Sequence, residues 1–417
     1  MQFLTRRPAE PVCAHRLCIP LGMTMIGLNH KAFTPGLVAI LLTLALSACG
    51  NGGSDAVSSG GGGGGGGNNM VAGEPAIAPL SLALSPSNLV VNSGQLIWSD
   101  AASPFSIHMM PTLGGSVMGL ALQLNTPESI VVREQDVFWV ETGWVLHQTS
   151  QMGTTTLAKG ANCAGDNYDF VVDDTDIYWI TSTCSPNTYS IQKVPRSGGS
   201  PTTITTTSVP ILTLAGDSTN IYWAEVDWPS PAPISQIKKF PKSSGPIQIV
   251  ASEFHALRGG LAVDGNTLVF SDCDFNDSYR VFSVSISSGA VRNLATVTVH
   301  DSTIPVVSAV TVDGANAYWI DNTSLKFVSL SGGGVTNLAT GLNSPADLAV
   351  DFENAYWTEP TQGTIKKVRL SGGPITVLAD QIDIPKNLVV DSSNVIWTEG
   401  SNISGFGRIA KTPVQGG

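Results

Sequence analysis

Pro345-Ala-Asp-Leu-Ala-Val-Asp351, Asn354-Ala-Tyr-Trp-Thr-Glu359, Ile365-Lys-Lys-Val-Arg-Leu-Ser-Gly-Gly373 and Ile375-Thr-Val-Leu-Ala379 follow one another along the chain. Each piece alternates or runs apolar for four to six residues, with turn residues between the pieces. That pattern reads as four consecutive antiparallel strands. Ser371-Gly372-Gly373 supplies the positive-φ positions of a tight hairpin between the third and fourth.

The unit recurs in both directions from this stretch. The aromatic of its second strand returns as Trp98, Trp139, Trp179, Trp223, Phe270, Trp319, Trp357 and Trp397, spaced 38 to 49 residues apart. Two residues after each anchor stands Asp100, Glu141, Thr181, Glu225, Asp272, Asp321, Glu359 or Glu399. A four-strand unit at this period predicts an all-β fold, a β-propeller of eight four-stranded blades. A seven-bladed ring with the Phe270 unit looped out is the alternative. The last repeat stops at Gly416-Gly417, one strand short, while Pro79-Leu-Ser-Leu-Ala-Leu84 precedes the first repeat where a fourth strand would fall. The N-terminal strand is therefore expected to close the last blade and cover its open edge.

Tyr356-Trp357-Thr358-Glu359, with Tyr178-Trp179, Tyr222-Trp223 and Tyr318-Trp319, resembles the YWTD repeat of low-density-lipoprotein-receptor-type propellers. The likeness covers residues 77–417 and implies the propeller architecture. That family's usual ring has six blades, whose domains bind proteins or act as spacers. Eight anchors depart from that number, so no ligand carries over. Similar repeats in bacterial lipoproteins of unknown function are the nearer likeness.

Ahead of the repeats, Leu37–Ala48 is an apolar run too short to span a bilayer as a helix but suited to a signal-peptide core. It ends in Leu46-Ser47-Ala48-Cys49, which looks like a lipobox. The resemblance implies that the Cys49 thiol takes the lipid and that Cys49 becomes the new N-terminus. Residues 1–24 read as a non-native or disordered extension, 25–48 as the signal peptide, 49–76 as a glycine-rich tether and 77–417 as the propeller. As a flexible chain the tether would hold its ends ~25–30 Å apart. Gly50 stands where an Asp would retain an enterobacterial lipoprotein in the inner membrane. The expected address is therefore the bacterial cell envelope, lipid-anchored at the outer membrane.

Beyond residue 48 the chain has 17 basic and 31 acidic residues, about −14 in net charge. Such a surface repels phosphate backbones, which argues against nucleic acid as a partner. The Tyr-Trp pairs, recurring at one strand position, read as packing between blades. The repeated acid reads as structural, accepting backbone hydrogen bonds between blades, with a cation- or ligand-binding ring as the other reading. The Asp ending the first strand (Asp173, Asp264, Asp313, Asp351, Asp391, with Asn92 in its place) reads as a turn residue.

What breaks the repeat carries the functional expectation. The loops between second and third strands, and those from an outer strand to the next inner one, should share a face. Three of the former are enlarged, around Trp144, around Trp228, and over Asp272-Cys-Asp-Phe-Asn-Asp-Ser-Tyr279. Trp144, Trp228, Asp272, Asp274, Asn276, Asp277 and Tyr279 are the expected binding residues, for a protein, peptide or glycan. Asp272-x-Asp274-x-Asn276 begins like a calcium loop, but Asp277 stands where Gly belongs and Ser283 where Glu belongs. Cys163 and Cys184 lie in loops of the same face and are expected to form a disulfide. No HExxH, GxSxG, CxxC or dinucleotide fingerprint occurs, so no catalytic residue, metal or cofactor is expected. The leading reading is a non-catalytic binding or scaffold module anchored by Cys49. The alternatives are a propeller enzyme of lactonase or lyase type, against which the apolar inner strands speak, and an accessory lipoprotein of outer-membrane assembly.

Overall fold

The computed structural model describes residues 78–416 apart from 84, 103, 143–144, 151–152, 160–168, 185–186, 228–234, 274–277, 299–308, 322 and 401–406. The leader, Cys49 and the tether region therefore lie outside the described residues. Eight antiparallel sheets of four strands each make up the propeller, with no helix among the described residues. Blade 7 is the quoted stretch, with strands Leu348–Val350, Asn354–Glu359, Thr364–Arg369 and Thr376–Ala379. The Phe270 unit is a full blade, Ala256–Asp264, Thr267–Cys273, Ser278–Ser285 and Val291–Thr298, so the seven-bladed alternative falls.

Blade 8 is closed from both ends of the chain, as the repeat boundaries require. Pro385–Val390, Asn394–Glu399 and Gly407–Pro413 form its first three strands. Ala78–Ala83 pairs antiparallel with the third, from Ala78 opposite Lys411 to Ala83 opposite Gly407. Blade 1 follows in chain order as Pro86–Asn92, Gln95–Asp100, Phe105–Pro111 and Met118–Leu124.

Packing explains the Tyr-Trp pairs. Successive strand residues point to opposite faces of their sheet, so Tyr and Trp serve different seams. Trp357 packs with Tyr318 and Ile320 of the blade before it, whereas Tyr356 packs with Trp397 and Leu388 of the blade after it. Both faces of each second strand are thus covered, which is why these strands are apolar runs rather than alternations. All seven anchor tryptophans are among the largest fully buried side chains. Truncating one to Ala is expected to cost about 3–5 kcal/mol.

Polar pegs cross the same seams. Lys411 of blade 8 donates to the Thr112 carbonyl of blade 1 at 2.8 Å, and Lys239 of blade 4 reaches the Ile286 carbonyl of blade 5 at 3.3 Å. Arg196 of blade 3 bonds Asp136 of blade 2 at 2.9 Å, and Lys242 of blade 4 pairs with Asp173 of blade 3 at 3.0 Å.

Each outer strand joins its blade across a register shift, for example between Ile365 and Lys366 or between Ile237 and Lys238. A bulge of this kind bends the strand and re-aims the side chain beside it. The residue at that point is Lys238, Lys326 or Lys366 in three blades and His147 or His108 in two.

Candidate functional site

The two faces of the ring are built differently. One carries the turns between first and second strands and between third and fourth; blades 1, 2 and 5 make the first of these with two residues, and the remaining five share one plan. Asp217, Asp313, Asp351 and Asp391 each use Oδ1 to accept the backbone N–H two and three residues on. In blades 4, 6 and 7 the other oxygen accepts the Tyr222, Tyr318 or Tyr356 hydroxyl at 2.6–2.7 Å. Asp313, Asp351 and Asp391 are turn residues, as expected; Asp217 joins them, Asp264 instead ends its strand opposite Thr267, and the tyrosine bond in three blades is one that sequence reading missed. The signal was there: an Asp-x-x-Asn-x-Tyr-Trp spacing recurs in three repeats. Burial alone would raise the carboxyls of Asp217 and Asp313, but the tyrosine hydroxyl and turn N–H groups outweigh it and hold them below the ordinary 3.8. Burial, together with the partner aspartate, pushes the tyrosine hydroxyls upward.

The repeated acids form a second constellation near the other face. Glu225, Glu359 and Glu399 accept the indole N–H of Trp223, Trp357 and Trp397 at 2.8–3.0 Å. Their second oxygens meet Lys238, Lys366 and Arg408 at 2.7–2.8 Å. Asp321 pairs with Lys326 at 2.5 Å, and Asp272 with Arg280. Backbone N–H groups of the incoming segment complete the set: Ser85 to Asp100 at 2.7 Å, Asn125 to Glu141 at 3.1 Å, and His255 to Asp272 at 3.0 Å. Backbone bonds to the acids are present in these three blades, but from the segment entering the same blade rather than from the neighbouring blade, and the indole and cation partners are additional. Each acid is buried with its oxygens already engaged, so the ring is a set of internal struts.

Three blades vary the strut. Blade 3 replaces the acid with Thr181 and the cation with Gln192, dropping both charges together. Blades 1 and 2 place His108 and His147 there, stacked on Trp98 and Trp139 at 5.4 and 5.1 Å between centroids. Burial lowers both imidazole pKa values, opposed by Asp100 and Glu141 respectively. His147 Nε2 lies 3.3 Å from Glu141 Oε1.

The face beyond the acids carries the variable connections. Second-to-third-strand loops bond the incoming segments of their own blades: Ala101 N–H to Ser85 O at 2.8 Å, Thr142 to Thr126 at 3.0 Å, Val226 to Pro210 at 3.0 Å. The two loop sets do share a face. Of the residues picked from sequence, Trp144, Trp228, Asp274, Asn276, Asp277 and Cys163 lie outside the described residues, and with Cys163 goes the pairing to Cys184. Asp272 and Tyr279 lie in strands of blade 5 and are buried, at 0% and 5% exposure. Asp272 gives its carboxylate to Arg280 and the His255 N–H. Among the described residues no group of three His, Cys, Asp or Glu side chains is placed to hold a metal ion.

A shallow, open depression of about 440 Å³ lies on this face between blades 7 and 8, lined by Pro360, Thr361, Gln362, Ile382, Asp383 and Ile384. Gly363, at φ +62°, permits it: a Cβ there would stand 2.3 Å from the Ile382 carbonyl oxygen.

Sheet count, strand order and closure together define an eight-bladed β-propeller. The yeast protein Sqt1 from Saccharomyces cerevisiae superposes with a TM-score of 0.57 at 10% identity, covering 82% of this chain and 99% of that one. The computationally designed Ika8 protein superposes at 0.56 with 12% identity, covering 81% and 98%. Both show the fold alone. No family model matches the chain, and no curated protein matches it by sequence.

Proposed function

We propose that the chain is a lipid-anchored, non-catalytic propeller of the bacterial cell envelope that binds a protein, peptide or glycan through its loop face. The observation that carries this reading is the contrast between faces. On one, five of the eight first-to-second-strand turns repeat the aspartate plan and the other three are two-residue turns; on the other, the loops differ in length and composition from blade to blade. A residue with a structural task recurs from blade to blade: the acid stands in seven of the eight with partners in place, and a tyrosine bonded to the turn aspartate recurs in three. Loop residues around Trp144 and Trp228 recur nowhere, which is what one ligand meeting one sector requires. Asp272 and Tyr279 would serve as supports for that sector, and Asp274, Asn276 and Asp277 as its ligand contacts. The YWTD-type kinship is part of the same reading, resting on the Tyr-Trp-x-acid pattern. So is a Cys163–Cys184 disulfide clamping blade 3's loops, which non-reducing peptide mapping reads directly.

Anchoring is tested by Cys49→Ser. Acyl labelling should vanish and the protein should leave the membrane fraction for the soluble one. Labelling that persists would remove the anchor from the proposal. Material co-purifying with the acylated chain then supplies the ligand.

The enzyme reading draws on the ring architecture alone. The inner strands are built from Leu-Val-Val and Leu-Ala-Val runs, and the one carboxyl among the described residues with a raised pKa, Asp347, is half-buried and accepts the N–H groups of Asn387 and Leu388 in the next blade. That is a seam contact between blades 7 and 8.

A further inference from the structure

One sector of the ring is almost without charge. Between Glu74 and Glu128 the sequence holds a single ionisable acid or base apart from His108, namely Asp100. Asp100 is buried at 6% exposure, and burial holds His108 below its ordinary pKa and hence neutral at pH 7. The interval spans the closing strand of blade 8 and all of blade 1. Beyond residue 48 the chain as a whole has 31 acids against 17 bases.

The same sector exposes the densest set of large apolar side chains among the described residues. Leu113 is 86% exposed, Leu122 63%, Met118 51% and Val117 43%, all on the outer strand of blade 1 or the turn leading to it. Other outer strands expose one or two such residues, such as Ile249 or Val377. The closing strand abuts this patch: Leu80 Cδ2 lies 4.0 Å from where a Cβ on Gly114 would stand. Chain connectivity adds the third element. The segment carrying Cys49 joins the ring at Ala78, the first residue of that closing strand.

We infer that the outer edge of blade 1 rests on the lipid surface to which the chain is anchored. An acidic ring is repelled by anionic headgroups over most of its surface, and this sector alone presents apolar side chains without that penalty. Anchoring through the adjacent strand raises the local concentration of lipid at the patch, so weak burial of three or four side chains suffices to orient the ring. The inference rests on the anchored reading above but is tested without natural acylation.

The mature chain, with a hexahistidine tag replacing Cys49, is held on phosphatidylcholine vesicles containing a nickel-chelating lipid. Amide hydrogen exchange is compared with the same protein free in solution. Exchange over residues 112–124 should slow at least fivefold on vesicles, while the outer strands of blades 4, 5 and 7 stay unchanged. The triple change Leu113→Ser, Met118→Ser, Leu122→Ser should abolish the slowing, and Phe352→Ser, at a turn of blade 7, should preserve it. No slowing at 112–124 would overturn the inference. So would equal slowing in every outer strand, or slowing that grows with protein concentration without vesicles, which would make the patch a contact between copies. Because the tag replaces the acyl group, failure of Cys49 acylation leaves this result interpretable.

Discussion

Ser244 occupies the position that Gly372 holds in blade 7, the end of a third-to-fourth-strand turn, and its φ is +80°. A side chain in that region is strained, and Gly114, Gly198, Gly332, Gly372 and Gly416 relieve it in other blades. Ser244→Gly is therefore expected to raise stability by about 1 kcal/mol in urea unfolding. A loss would show that the serine has a compensating contact. The Tyr–Asp turns give the residue scale its pH dependence. The folded pKa values of Asp217 and Asp313 lie below 3.8, so their contribution is present above that value and is lost as pH falls through the folded values. Tyr222→Phe with Tyr318→Phe should lower the Tm at pH 7 and flatten its fall below pH 4. An unchanged acid slope would detach these turns from acid stability. The anchor tryptophans and acids could be read from the sequence because each recurs at a fixed offset. Their cations could not, because loop length changes the distance from Trp223 to Lys238 relative to Trp357 to Lys366. The Ile-Lys or Leu-Lys step opening the third strand was the available signal.

At the scale of the element, the closing strand Ala78–Ala83 hides the edge of Gly407–Pro413 and brings Leu80 onto the seam with blade 1. Removing residues 1–84 should lower stability by several kcal/mol, the scale of losing one or two packed side chains. It should also produce concentration-dependent aggregation through the bared edge. Removing residues 1–76 should leave the Tm of the propeller unchanged. Equal melting of the two truncations, measured by calorimetry with light scattering, would contradict closure by this strand. The strand was legible because the repeat count came up one short at the C-terminus. The register shifts at Ile365/Lys366 and its counterparts were not. A bulge adds one residue to one strand of a pair, and in strands of four to six residues only the pairing reveals where it falls.

For the whole molecule, construction and recognition are assigned to different residues. The struts around Trp357, Glu359 and Lys366 tie the second and third strands of a blade together, and on the proposed reading the irregular loops around Trp144 and Trp228 would meet the ligand. Fold and closure follow from periodicity, which this sequence displays from Trp98 to Trp397. A ligand does not, because a binding loop is defined by departing from the pattern, and departure alone carries no chemical identity. The direct measurement is a crossed comparison on the acylated protein, scoring Tm and ligand capture for two pairs of variants. Glu225→Gln with Glu359→Gln should lower the Tm while leaving capture within twofold of wild type. Trp144→Ala and Trp228→Ala should each weaken capture by about 2 kcal/mol, near thirtyfold, with the Tm nearly unchanged. If the tryptophan changes instead lower the Tm and leave capture intact, or the glutamate changes abolish capture in a protein that melts normally, the division between struts and binding face is wrong.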